Sequence, residues 1–148
     1  MNRFVVIIFF LFSISCSSRV SSYQKIVNSL ASSEIFNLEN YSNVLILPGL
    51  GCDGCISDVE NFIIERHNYL SSTLIILTRI ESVKLLRLRL GKELLNKKYV
   101  IIDENSLFDT PELQTIYPVR LILNEDGHVL EVIEKTPETH DFFSALKK

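Results

Sequence analysis

Short unbroken apolar runs alternate along this chain with segments whose apolar residues recur every three or four positions. The unbroken runs are VLIL at 44–47, TLIILT at 73–78 and YVIID at 99–103. Each has strand length, and an unbroken apolar run is the pattern of a strand covered on both faces. The periodic segments predict helices. Tyr23, Ile26, Val27, Leu30 and Ala31 place one over about 22–35, behind a polar tether at 17–22. Ile56, Val59, Phe62 and Ile63 place a second that runs to about Asn68. Val83, Leu86, Leu90 and Leu94 place a third, with Lys97 and Lys98 near its C-terminus, where cations are favoured. The runs at 119–123 and 129–133 are joined by NEDGH, and Asp126-Gly127 signals a hairpin. Thr136 can cap a last helix with Pro137 at its first position, and Phe142, Phe143 and Leu146 give it an apolar face.

Strands alternating with helices imply an α/β fold, a mostly parallel sheet with helices on both faces and an antiparallel hairpin at its edge. In such sheets ligand chemistry collects at the carboxyl ends of strands, beside helix N-termini. Cys52 and Cys55 fall there, in LPGLGCDGCISDVENF between the first strand and the second helix.

The N-terminus breaks the pattern. Arg3 precedes an apolar run over 4–12, too short to span a bilayer at roughly 20 residues but suited to a signal-peptide core. The run ends in FSISCSSRVSS, with small Ser15 before Cys16. This resembles a bacterial lipoprotein signal, with Ser13 where the usual leucine stands. The resemblance implies cleavage of 1–15, lipidation of Cys16 and an exported, membrane-anchored protein facing the periplasm or cell exterior. The expected organisation is then 1–15 signal peptide, 16–42 tether and N-terminal helix, and 43–148 the α/β domain. Three cysteines is an odd count, and lipid on Cys16 would leave Cys52 and Cys55 as a self-contained pair.

Composition narrows the function classes. A net charge of −3 gives no basic field for nucleic acid. There is no glycine-rich phosphate loop and no repeat. The C-x-x-C pair supplies two of the four ligands a structural zinc site needs. His67, His128 and His140 show no ligand spacing to one another, so no metal and no cofactor is expected.

C-x-x-C at the first strand-to-helix junction, followed by YPVRLILNEDGHVLEVI, resembles the thioredoxin superfamily over about 45–148. It is closest to the membrane-tethered, export-side thioredoxin-like reductases. The resemblance implies a three-layer thioredoxin-like fold and a thiol–disulfide oxidoreductase. It implies a protein disulfide or dithiol as substrate and an electron-donating partner such as a membrane thiol transporter. Pro118 falls at the family's cis-proline, so Tyr117, Pro118 and Val119 are expected to dock the substrate backbone beside the sulfurs.

The chemistry follows from position. Cys52 near the N-cap would face free backbone N–H groups, which with the helix dipole stabilise a thiolate. Cys52 is then the nucleophile, and Cys55, deeper in the helix, resolves the mixed disulfide. Asp53 and Gly54 between them are the tuning pair. A carboxylate at Asp53 opposes the dipole and would raise the Cys52 pKa, favouring a reductant; a solvated side chain would do little. Thioredoxins carry a buried Asp six residues before the first cysteine, and Ile46 stands there, so Glu104 or water would have to accept the proton.

Three other readings compete. A lipid-anchored binding module could hold Cys52–Cys55 as a structural disulfide. A peroxiredoxin-like peroxidase would need a hydroxyl residue where Cys52 stands and an arginine where Pro118 stands. Arg120 is two residues off and is expected on the opposite face. A metal chaperone of this fold uses a different cysteine spacing.

Overall fold

The computed structural model describes residues 15–32, 37–109 and 115–146; the expected signal segment 1–15 lies outside them except for Ser15. Helix α1 spans Ser15–Ser32 and therefore takes in 17–22, expected as a tether. The reason is one more apolar residue. Val20 extends the stripe of Tyr23, Val27 and Leu30 back by a turn and packs against the same core.

Strand β1 (Asn43–Pro48) and strand β2 (Thr73–Thr78) are buried at every position. Strand β3 is Val100–Ile102, β4 is Val119–Leu123 and β5 is Val129–Glu134. They form one mixed sheet in the order β3-β2-β1-β4-β5. The pairs β1/β2 and β2/β3 are parallel, and β4 runs antiparallel to both β1 and β5. The expected hairpin is present, with β4 inside the sheet and β5 at the edge. Its turn needs Gly127 at φ +75°, and the Asn124 side chain accepts from the N–H groups of Asp126 and His128.

Helix α2 (Asp53–Arg66) follows β1. The third expected helix is two: α3 (Val83–Leu90) and α4 (Lys92–Leu95). Gly91 at φ +80° breaks the helical path between them, and the Ser82 side chain caps the start of α3.

Strand alternation divides the core in two. Val44, Ile46, Leu74, Ile76, Val119 and Leu121 face α1. Leu45, Leu47, Ile75 and Leu77 face α2, α3 and α4. Helices thus cover both faces of the sheet. Each fully buried aliphatic side chain contributes roughly 1.5–3 kcal/mol.

The last expected helix is not one. Residues 136–143 run as turns, with a 3₁₀ turn at Ser144–Leu146. Competing hydrogen bonds explain the difference. The Thr139 hydroxyl donates to the Glu134 carbonyl, and the Thr136 N–H donates to that hydroxyl. The Arg120 guanidinium occupies the Phe142 carbonyl, which an α-helix would reserve for the N–H of Leu146. The expected apolar contacts form regardless: Phe142 and Leu146 are buried, and Phe143 stacks on Phe62 of α2 at 4.5 Å.

Candidate active site

The site is built where β1 gives way to α2. Cys52 is the N-cap of α2, with extended backbone at φ −74° and ψ 96°. Its carbonyl accepts from the Ile56 N–H at 2.9 Å, which starts the helix, and its own N–H donates to the Ile116 carbonyl at 2.8 Å. Gly51 allows that approach, because a Cβ there would run into the Ile116 backbone. The exposed side chains of Leu50 and Ile116 belong to the two segments that meet at Cys52.

Cys52 and Cys55 are joined as a disulfide with Cα atoms 5.3 Å apart. They are unequally placed. Cys52 is partly exposed, whereas Cys55, in the first turn, is 3% exposed. Only Cys52 offers a sulfur to a large partner. A thiolate at an N-cap also lies against the unpaired N–H groups of the first turn. Asp53 and Gly54 are exposed, and open space surrounds Gly54. Water therefore screens the Asp53 charge, which favours the smaller of the two influences expected of it.

An open cleft of about 290 Å³ borders the pair, lined by Cys52, Gly54, Cys55, Asp58, Lys135 and Pro137. Lys135 is buried, and its Nζ lies 3.2 Å from Asp58 Oδ2. Sequence reasoning missed both residues. Asp58 was findable, since it stands three positions after Cys55 and shares its helix face. Lys135 gave no local sign, since it follows Glu134 at the end of a strand that already carries two carboxylates.

The other expected site residues fall differently. The Tyr117–Pro118 bond is trans, not the cis bond the resemblance implies. The Pro118 carbonyl accepts from the Lys135 N–H at 2.8 Å. Val119 is fully buried and sits between Ile46 on β1 and Glu134 on β5. The Tyr117 N–H donates to the Thr115 hydroxyl. Much of the backbone expected to dock a substrate is thus already paired, because β4 is an interior strand. The residue that touches the cysteine loop is Ile116.

Ile46 packs on the α1 side, away from α2, and Glu104 is exposed and does not line the cleft. The nearby buried carboxylate, Asp103, accepts from the Thr78 hydroxyl and from the N–H groups of Leu107 and Phe108, so it shapes the loop after β3. Arg120 lies on the same side of the sheet as α2, not the opposite side, because its register partner Leu45 packs there. It is 1% exposed and burial lowers its pKa. Phe142 covers it, which removes it from any role as an open anion site.

The His67 Nδ1–H donates to the Ile64 carbonyl at the end of α2, His128 follows the hairpin turn and His140 lies in the closing segment. Among the described residues no group of three or more His, Cys, Asp or Glu is placed to hold a metal ion. Comparison with protein-family models, with curated proteins and with solved structures gives no match.

Proposed function

We propose that the chain is a thiol–disulfide oxidoreductase of thioredoxin-like type that reduces disulfides in exported proteins. The observation that carries this reading is the unequal exposure of Cys52 and Cys55 at the head of α2. The order β2-β1-β4-β5, with parallel β1/β2 and an antiparallel hairpin, is consistent with a thioredoxin-like arrangement. In the reaction the Cys52 thiolate attacks one sulfur of a substrate disulfide. A mixed disulfide forms and one substrate thiolate leaves. Cys55 loses its proton and attacks the Cys52 sulfur, which releases the second substrate thiolate. The substrate gains two electrons and the Cys52–Cys55 pair becomes the disulfide. A dithiol donor must then return two electrons to the pair.

The placement outside the membrane rests on sequence, through the apolar run at 4–12 and Cys16. Residues 1–14 lie outside the description, and α1 carries the Cys16 backbone at its start. With lipid on Cys16 the domain would stand close to the bilayer, since α1 is packed on the sheet from Val20 onward. Among the described residues no helix is long and apolar enough to cross a membrane.

The test combines three measurements. In the reduced protein, alkylation near neutral pH should label Cys52 well before Cys55. Cys55→Ser should trap substrates as mixed disulfides on Cys52. The reduction potential should lie above about −300 mV; a lower value marks a static structural bridge and rejects the enzyme. For the anchor, Cys16→Ala should abolish lipid labelling and release the protein from membranes, and unchanged labelling rejects it.

A further inference from the structure

Lysine is rarely buried unless its charge is answered, yet Lys135 is 7% exposed. Its ammonium meets Asp58 Oδ2 at 3.2 Å and the Thr136 carbonyl at 3.3 Å. An ammonium carries three donors, so one is left beyond those two. The sheet fixes where it points. Glu134, the last residue of β5, turns to Arg19 on the α1 side, so Lys135 turns to the α2 side. Its N–H is anchored on the Pro118 carbonyl. For stability alone an apolar residue of similar volume would serve as well, since a buried ion pair seldom gains on one. What singles out this pair is its place, in one cleft with both cysteines.

We propose that Lys135 is a positioning residue that stabilises the thiolate of the reduced Cys52–Cys55 pair, and that Asp58 holds and moderates it. This rests on the redox reading of the pair. While the disulfide is intact its sulfurs carry no charge, and Asp58 is the anion that faces the ammonium. Reduction brings a thiolate into the same cleft as a second anion. A fixed cation favours ionisation of a thiol, and a carboxylate opposes it. The burial of Lys135 strengthens its share, because water screens it less than an exposed charge. Other charged groups stand nearby without lining the cleft. Asp53 is exposed in the first turn of α2, and Glu138, His140 and Asp141 are in the closing segment. Arg120 lies on β4 under Phe142, with Glu131 and Asp141 as the carboxylates that act on it.

The experiment reads thiol ionisation in the reduced, full-length protein through the pH dependence of iodoacetamide alkylation at Cys52. Lys135→Met should raise the apparent thiol pKa by about one unit, which slows alkylation about tenfold below that pKa. It should also move the reduction potential to a more negative value, because the reduced form loses its stabilised thiolate. Asp58→Asn should shift both readings the other way, and Lys135→Arg should restore the wild-type pH profile. Shifts of the same sign in Lys135→Met and Asp58→Asn, or none in either, overturn the proposal. If Lys135→Met fails to fold, Asp58→Asn at its exposed position decides: an unchanged or raised pKa overturns the proposal. Ionisation is read whether or not the protein turns over a substrate. A static bridge would show separately, as a potential below about −300 mV.

Discussion

The two faces of the sheet are packed by different means. On one, α1 lays Tyr23, Ile26, Val27 and Leu30 on an apolar floor, and an ion pair to β5, Arg19 with Glu134 at 2.7 Å, has its arginine in solvent. On the other, α2, α3 and the closing segment bury charge. Glu60, Arg120 and Lys135 are each under 9% exposed. Burial pushes the Glu60 carboxyl up, opposed by Arg89 at 2.9 Å, and burial pushes Arg120 down. Such charges cost more to bury than apolar side chains do. The sheet thus separates a face covered by α1 from a face that carries the cysteines; Glu60, Arg120 and Lys135 gather on the second, while Asp103 is buried at the end of β3, bonded to Thr78 and the loop that follows. An apolar layer disfavours a thiolate by desolvation, whereas a fixed cation favours one.

The separation predicts that equally destabilising changes on the two faces differ in their effect on the sulfurs. Phe142→Ala removes a fully buried ring and should cost about 3–5 kcal/mol of stability. It also frees the segment whose Phe143 stacks on α2 and whose Pro137 lines the cleft. Cys55 should then become accessible, and reduction of the disulfide by a small thiol should quicken under native conditions. Leu30→Ala on the α1 face should cost a comparable 2–5 kcal/mol and leave that rate unchanged. Denaturant melts paired with disulfide reduction kinetics check both. Equal acceleration in the two variants would mean that the faces are not separate.

How much of this was legible in the sequence depends on whether local or long-range physics decides each element. The strands at 44–47 and 73–78 and the helix after Cys52 were readable because period and composition are local signals. So was the hairpin, since Asp126-Gly127 supplies the turn by itself. The closing helix was misread because Arg120, 22 residues upstream, occupies a carbonyl that the helix would need. The third helix was read through Gly91, whose left-handed backbone no periodicity announces. Within the site, Cys52 and Cys55 follow from spacing alone. Lys135 and Ile116 do not, because they arrive through strand pairing and a loop contact. The trans bond before Pro118 departs from the superfamily resemblance at the position where the resemblance was carried by one residue.

The α1 face contains a buried ionisable group of its own, and it gives the smallest and most selective test of the comparison. Tyr23 is 2% exposed, and burial, reinforced by the Glu134 carboxylate and opposed by Arg19, pushes its pKa from about 10 up to about 12. The neutral phenol is the form that the fold favours. Its contribution is therefore complete below pH 10 and is lost as the pH rises through 12. Two units correspond to about 2–3 kcal/mol at most. Alkali should thus loosen α1 from the sheet while the α2 face stays packed. Tyr99 must be accounted for, because burial raises it as well; its hydroxyl donates to the His67 carbonyl on the α2 side. Hydrogen exchange between pH 9 and 12 on the oxidised protein can read the two faces separately. In the wild type, protection should fall in α1 before α2. Tyr23→Phe should remove most of the pH dependence in α1, and Tyr99→Phe should leave it in place. If α1 and α2 lose protection together, or if Tyr99→Phe has the larger effect on α1, the two faces unfold as one unit and the comparison fails.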